Sequence, residues 1–110
     1  MVYIPEQGDL IWLDFDPSSG REIIKRQPAF VLSRKAFNEH TMLAIVAPIT
    51  STVRGIKLEV KLPDENKTDG AILVHQLKSI DFIQRKADFI EKTPANIVEQ
   101  VSSIAQLLVK

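Results

Sequence analysis

The sequence of 110 residues contains no cysteine, which excludes disulfide bonds and thiolate-ligated metal sites. No apolar run approaches the roughly 20 residues that a helix needs to cross a bilayer, so we expect no membrane association. The N-terminal residues carry neither a basic segment nor a long apolar one, and no signal peptide is expected. These absences are compatible with a protein of a reducing cytoplasm.

Histidine is scarce, with 2 copies in the chain, and neither His40 nor His75 has a second ligand at metal-binding spacing. Asp14 and Asp16 lie two positions apart and can face the same side of a strand. Nothing else in the sequence completes a metal site around them. We therefore expect no metal ion and no other cofactor.

Net charge is also absent, since 14 basic residues balance 14 acidic ones. The distribution along the chain is uneven. Residues 1–20 hold four acidic residues and no basic one, whereas residues 21–61 hold eight basic and three acidic residues. The basic middle segment can provide the local patch that a nucleic acid needs, although a mixed, solvated surface explains the same charges.

The apolar pattern predicts many short strands in a single domain of residues 1–110. Pro48 cannot donate a hydrogen bond within a sheet, so we expect it at an edge or a bulge. Ser33 is a suitable N-cap for one helical turn. Strands are expected at residues 8–15, 28–33, 42–49, 56–62 and 71–74, the last continuing towards residue 80.

The C-terminal segment gives the clearest helical pattern. Thr93 is a suitable N-cap, and Pro94 suits the first helical position. The helix would carry one apolar stripe, formed by Ile97, Val101, Ile104 and Leu108. Together these patterns predict a small, strongly bent antiparallel sheet or partly open barrel with a helix packed on it.

Residues 17–33 combine a loop, a cluster of charges and a buried strand. A Pro-Ser-Ser-Gly sequence opens the stretch and favours a loop. Pro28 then leads into the apolar run Ala-Phe-Val-Leu. Between them lie Arg21, Glu22, Lys25 and Arg26. A loop rich in ionisable groups beside a rigid strand is a common arrangement for a functional site.

Sequence motifs in and around this stretch carry a family resemblance. They are Gly-Asp-Leu-Ile-Trp-Leu-Asp-Phe-Asp-Pro at 8–17, Gly20, Glu22, Pro28-Ala29, Val-Leu-Ser at 31–33, Ala-Pro-Ile-Thr at 47–50, Gly-Ala-Ile-Leu at 70–73 and Gln-Leu-Lys-Ser-Ile-Asp at 76–81. This set resembles the signature of the MazF/PemK toxins, the ribonuclease components of bacterial toxin–antitoxin pairs. The resemblance spans nearly the whole chain.

The resemblance implies an SH3-like antiparallel barrel of the CcdB/PemK type, with a C-terminal helix, one or two short helices and a homodimeric assembly. It also implies a metal-independent mRNA interferase, an endoribonuclease that cleaves single-stranded mRNA at selected sequences. In such enzymes the 2′-OH of the RNA attacks phosphorus and leaves a 2′,3′-cyclic phosphate. The protein supplies a base, an acid and charge stabilisation. The implied partner is a MazE-like antitoxin whose acidic C-terminal tail fills the RNA groove.

The resemblance implies a catalytic set that includes Glu22 and Thr50. Glu22 would act as general base or orient a neighbouring arginine. Thr50 can donate its hydroxyl to a phosphate oxygen, although a turn threonine can equally bond its own backbone. The predicted catalytic set also includes Gln27, at the position of the family arginine, and the neighbouring Arg26.

Gln27 stands where the family pattern has an arginine. Its amide can bond a phosphate oxygen but has no charge and cannot act as an acid. Loss of one such donor typically costs about 10²–10³ in rate. Gln27 either makes a toxic ribonuclease safe to produce, or is compensated by Arg26 or Lys25, or marks a degenerate family member. Because side chains alternate along a strand, Arg26 should face away from Gln27. We expect weakened chemistry on an intact scaffold.

A second set of residues is expected to bind RNA. Gln76 offers an amide for base edges, and Lys78 offers a cation for phosphate. Some relatives carry a catalytic aspartate at the position of His75, and a histidine there can act as acid or base, or be structural. The full set is Asp16, Ser18, Lys25, Ser51, His75, Gln76 and Lys78.

Two other functions are compatible with the sequence. A toxin of the same fold can poison a DNA topoisomerase through protein contacts, and such a binder would not need the arginine that Gln27 replaces. A catalytically silent module that binds only RNA or antitoxin also fits. RNA cleavage in vitro separates the ribonuclease from both.

Overall fold

A computed structural model describes residues 2–14 and 26–110 of the chain. In the described residues the seven strands are β1 (Asp9–Asp14), β2 (Arg26–Val31), β3 (Ala44–Thr50), β4 (Glu59–Lys61), β5 (Ala71–Leu73), β6 (Lys78–Ile80) and β7 (Asp88–Lys92). The helices there are α1 (Lys35–Thr41) and α2 (Ala95–Leu108), with one 3-10 turn at Val74–Gln76. Neither α-helix has the length and apolar character needed to cross a membrane.

The strands form one antiparallel sheet in the order β4-β5-β3-β2-β1-β7, and β6 pairs with β3 beside this path. The prediction of a mainly antiparallel β fold with a C-terminal helix is confirmed. The sheet is open, because no strand ladder joins β4 to β7 within the described residues. Its two ends nevertheless approach each other, since Asn66 Nδ2 in the β4–β5 turn donates to the Lys92 carbonyl at 2.9 Å.

Strand β3 lies in the middle of the sheet. One of its edges pairs with β2, and its other edge pairs with two different strands in turn. Its first part pairs with β6 and its end pairs with β5. Between these ladders, residues 47 and 48 of β3 lie opposite residues 73–77, which include the 3-10 turn. The Leu32 N–H donates to the Ile45 carbonyl, so the backbone N–H and C=O groups of residue 45 point towards β2. Because this direction alternates from one residue to the next, the backbone groups of residue 48 point away from β2. The missing N–H of Pro48 therefore faces the interruption, and no sheet hydrogen bond is lost.

Alternation along β1 divides the buried side chains between two clusters. Leu10 joins Phe30 in one cluster, on which α2 packs through Ile97 and Val101. Ile11 joins the other cluster, which lies on the opposite face of the strands. The predicted apolar stripe of α2 is thus buried over its first two turns, whereas Leu108 at its end is 44% exposed.

Two predicted N-caps were wrong, because each side chain has a long-range partner instead. The Ser33 hydroxyl accepts a hydrogen bond from the Ile45 N–H at 2.8 Å and does not cap α1. The Thr93 hydroxyl donates to the Gly8 carbonyl at 2.7 Å, and Pro94 occupies the N-cap of α2. Both hydroxyls therefore form hydrogen bonds between segments that are distant in the sequence.

Gly70 lets the start of β5 pack directly on the end of β3. Its φ is +126°, a conformation that side chains with a Cβ rarely adopt. A Cβ at this position would lie 2.2 Å from the Thr50 carbonyl oxygen and 3.3 Å from Ile49 Cγ2. The Leu62 N–H holds the same residue by donating to the Gly70 carbonyl at 2.9 Å. The position of Thr50 thus depends on the absence of a side chain at residue 70.

We predict that Gly70→Ala lowers the free energy of unfolding by roughly 3 kcal/mol, because it adds both backbone strain and an overlap with Thr50. Gly55→Ala is the matched control, since Gly55 has φ +73° but no atom within 4 Å of an added Cβ. The control should lose only about 1 kcal/mol from backbone strain. Urea denaturation measures both values, and an equal loss in the two variants would contradict the close contact at Gly70.

Candidate functional site

A cavity of about 640 Å³ opens where the end of β3 meets β2 and residues 73–78. Its apolar lining includes Pro28, Pro48 and Leu73. Its polar lining consists of Gln27, Thr50, Ser51, Asp69, Gln76 and Lys78. Five of these six side chains belong to the set expected from the sequence, and they come from three separate parts of the chain. The cavity is the place where these parts meet.

The Thr50 hydroxyl is oriented by the turn that follows β3. The Thr52 N–H donates to Thr50 Oγ1 at 3.1 Å and occupies one acceptor position of the hydroxyl. The hydroxyl proton can then be donated to a ligand in the cavity. The two interpretations of Thr50, a turn residue and a ligand-binding residue, are therefore compatible.

Glu59 holds the rest of this turn. Its Oε1 atom accepts hydrogen bonds from the backbone N–H groups of Arg54 and Gly55 at 3.0 and 3.1 Å. A side cavity of about 90 Å³ lies next to it and also contacts Thr50 and His75. His75 thus lines this side cavity, whereas Gln76 and Lys78 line the main one.

Arg26 lies on the other face of β2 from Gln27, as the alternation of a strand requires. Its guanidinium donates to Asp14 Oδ1 at 2.7 Å, to the Lys86 carbonyl at 2.7 Å and to Asp88 Oδ2 at 3.3 Å. These partners hold the side chain away from the cavity. In this arrangement the guanidinium links β2 to β1 and β7.

Four residues expected at the site lie outside the described residues, and their roles stay predictions. They are Asp16, Ser18, Glu22 and Lys25. The described part of the chain contains no group of three or more His, Asp or Glu side chains arranged to hold a metal ion.

Asp69 is the acidic residue of the cavity, and sequence reasoning missed it. Its backbone is fixed on the N-terminal side by Thr68, whose N–H and hydroxyl donate to Glu91 Oε2 at 2.7 and 2.8 Å. On the C-terminal side it is fixed by Gly70. A Thr-Asp-Gly sequence is ordinary turn composition, so no sequence pattern separates this aspartate from its neighbours. The glycine after it is the one signal of a close backbone approach.

The carboxylate of Glu91 is stabilised in its ionised form. Burial alone would raise its pKa, but hydrogen bonds from the backbone N–H groups of Lys67 and Thr68 and from the Thr68 hydroxyl outweigh burial. The pKa of Glu91 is lowered as a result. The β4–β5 turn is thereby anchored to β7 by a charge-assisted contact.

The chain matches a family model over residues 6–109, and the family is described as the PemK-like, MazF-like toxin of type II toxin–antitoxin systems. The chain belongs to this family. It is 41% identical over 85 residues to the endoribonuclease toxin MazF of Escherichia coli K12, covering 77% of this chain and 76% of that protein. It is 36% identical over 110 residues to the endoribonuclease toxin ChpB of the same strain, covering 96% and 94%.

Solved structures of MazF proteins share the fold. The crystal structure of MazE–MazF (Form-II) from Deinococcus radiodurans superposes with a TM-score of 0.91 at 35% identity, covering 98% of this chain and 97% of the other. The crystal structure of MazF (Form-I) from the same organism gives a TM-score of 0.88. The PemK/MazF resemblance drawn from the sequence motifs is confirmed.

We predict that Glu91→Gln destabilises the protein at neutral pH and that this difference narrows in acid. Because the pKa of Glu91 is lowered in the folded protein, its stabilising effect is fully present above the pKa in the unfolded chain, near the ordinary glutamate value of 4.5. The effect is lost as the pH falls through the lower folded pKa. Urea denaturation of both proteins at pH 7 and at about pH 3 measures the change.

Glu65→Gln is the control, since Glu65 is an exposed carboxylate of the same turn. It should leave stability nearly unchanged at both pH values, as exposed substitutions usually do. A Glu91→Gln penalty of the same size in acid and at neutral pH would contradict the charge-assisted anchor.

Proposed function

We propose that this chain is the toxin of a type II toxin–antitoxin system and that it cleaves single-stranded RNA in the cavity beside Thr50. The observation that carries the proposal is the convergence of Gln27, Thr50 and Lys78 on one cavity of a PemK/MazF family member. Relatives such as MazF and ChpB of Escherichia coli are named endoribonucleases. The cavity offers hydroxyl, amide and ammonium donors, which suit a phosphodiester.

In the proposed reaction the 2′-OH of the RNA attacks the adjacent phosphorus. Glu22 accepts the hydroxyl proton, the new O–P bond forms, and the bond to the 5′-oxygen breaks. His75, which lines the side cavity next to Thr50, supplies the proton to the leaving oxygen. The products are a 2′,3′-cyclic phosphate and a 5′-hydroxyl, and no metal ion takes part.

Charge stabilisation is the weak part of this site. The Thr50 hydroxyl and the Gln27 amide can donate to the non-bridging phosphate oxygens, and Lys78 adds a positive charge. Gln27 replaces the arginine of the family pattern, so one cation is lost at the phosphorus. We propose that the chain is an attenuated enzyme for this reason, with Arg26 committed to its ion pairs elsewhere.

We further propose a cytoplasmic homodimer of this single toxin domain, with a cognate MazE-like antitoxin as partner. Crystals of MazE–MazF complexes from Deinococcus radiodurans support an antitoxin for a chain of this fold. An acidic antitoxin tail would occupy the same cavity as RNA, because carboxylates and phosphates use the same donors. Toxin neutralisation and substrate exclusion would then be one event.

We predict that Gln27→Arg raises RNA cleavage by about 10²–10³, because it restores a cationic donor at the transition state. Thr50→Val should lower cleavage in both the parent chain and the Gln27→Arg form, since the donor hydroxyl is lost while the side-chain shape is kept. Single-turnover cleavage of end-labelled single-stranded RNA, with detection of the 2′,3′-cyclic phosphate, measures both effects. Equal and strong activity in the parent chain and Gln27→Arg would defeat the attenuation proposal.

Arg26→Met separates a structural arginine from a catalytic one. The substitution should lower the free energy of unfolding by about 1 kcal/mol, because Asp14 loses its ion pair. Cleavage should stay within a few fold of the parent chain. Arg34→Met, at another exposed arginine, should change neither property. A folded Arg26→Met protein that no longer cleaves RNA would show that Arg26 takes over from the missing arginine.

A further inference from the structure

We propose that Asp69 is a specificity-determining residue that selects a guanine base in the RNA. The proposal rests on the function proposed above, since it names a base that the same cavity reads. The cavity places this carboxylate together with the hydroxyl of Thr50 and the ammonium group of Lys78.

The Asp69 side chain is available to a ligand. Residue 69 is exposed at the cavity lining, and within the described part of the chain its carboxylate makes no hydrogen bond or ion pair. Its neighbour Thr68 is bound to Glu91, and its other neighbour Gly70 touches the Thr50 backbone. A carboxylate with no hydrogen bond or ion pair to any described residue is therefore attached to a backbone that is held on both sides. This is the arrangement expected of a binding group that is held ready for its ligand.

Charge decides which part of an RNA this carboxylate contacts. A carboxylate and a phosphate repel each other, and the repulsion is strongest where water is excluded. The phosphate is served by the donors of Thr50 and Lys78 on the same cavity. A carboxylate can only accept hydrogen bonds, so it needs a donor on the ligand. In RNA the strong donors away from the backbone are the N–H groups of the bases.

Guanine fits the carboxylate better than the other bases. Unpaired RNA bases are splayed out and read on their Watson–Crick edges. The guanine edge presents N1–H and the N2 amino group side by side, which match the two oxygens of Asp69. Adenine and cytosine place a ring-nitrogen acceptor beside their amino group, and uracil flanks its N–H with two carbonyls. The Gln76 amide lines the same cavity and can donate to guanine O6.

The test uses short pyrimidine oligonucleotides with 2′-deoxyribose throughout, which cannot be cleaved by a 2′-OH. Guanine is placed at each position in turn, and matched oligonucleotides carry inosine, which lacks the N2 amino group. Fluorescence anisotropy of the full chain should show one position where guanine binds about tenfold to a hundredfold more tightly than inosine. Asp69→Asn, which keeps the shape but loses one acceptor, should abolish that difference. Thermal unfolding verifies that the variant is folded.

Asp64→Asn is the matched control, since Asp64 is an exposed aspartate in the same loop that does not line the cavity. It should keep the preference for guanine. The proposal is overturned if the parent chain binds guanine and inosine oligonucleotides equally, or if Asp69→Asn keeps the preference unchanged.

Cleavage of the matching RNA by the parent chain and by Gln27→Arg separates this inference from the proposed function. Guanine-dependent binding without any cleavage supports the role of Asp69 and rejects the ribonuclease. Cleavage that depends on neither guanine nor Asp69 supports the ribonuclease and rejects the role of Asp69. Failure to bind any oligonucleotide, together with a lack of cleavage, rejects both.

Discussion

A proline in the central strand decides where the cavity of this protein forms. Pro48 has no N–H to donate, so β3 cannot continue one ladder along the side that faces away from β2. Residues 74–77, which include the 3-10 turn, leave the sheet opposite this point. The chain returns to the sheet as β6. Because the departure brings Gln76 and Lys78 beside Thr50, the constraint on one backbone amide places three predicted site residues together.

Gly70 provides the second constraint, and it acts on the same strand end. Without a Cβ at this residue, the start of β5 approaches the Thr50 carbonyl closely and brings Asp69 to the cavity. Hydrogen bonds from Thr68 to Glu91 hold the preceding turn against β7. The cavity wall is therefore built from rigid backbone on one side. On the other side it is completed by β2, from which Gln27 projects.

The sequence predicted local structure and the family better than the arrangement of the sheet. Periodicity located β1 to β5 and α2, because burial on one face requires it. The strand order and the break opposite Pro48 depend on pairing between distant residues, which periodicity does not encode. The hydroxyls of Ser33 and Thr93 were misassigned for the same reason, since their partners Ile45 and Gly8 are far along the chain.

The candidate site was also predicted only in part from the sequence. Of the residues expected at the site, five line one cavity, namely Gln27, Thr50, Ser51, Gln76 and Lys78. Strand alternation correctly indicated that Arg26 faces elsewhere. No sequence motif identified Asp69, because an aspartate before a glycine is common in polar turns, where both residues favour the turn conformation. Its place in the cavity follows from the packing of Gly70 on Thr50, which only the folded structure shows.

The proposed function requires that the cavity beside Thr50 binds single-stranded nucleic acid. Backbone amide chemical shifts of the full chain, measured by NMR during titration with a 2′-deoxy oligonucleotide, locate the bound strand. The largest shift changes are expected at Thr50, Ser51, Asp69 and Gln76, which line the cavity. Changes confined to α2 and β7, with these four amides unmoved, would contradict it.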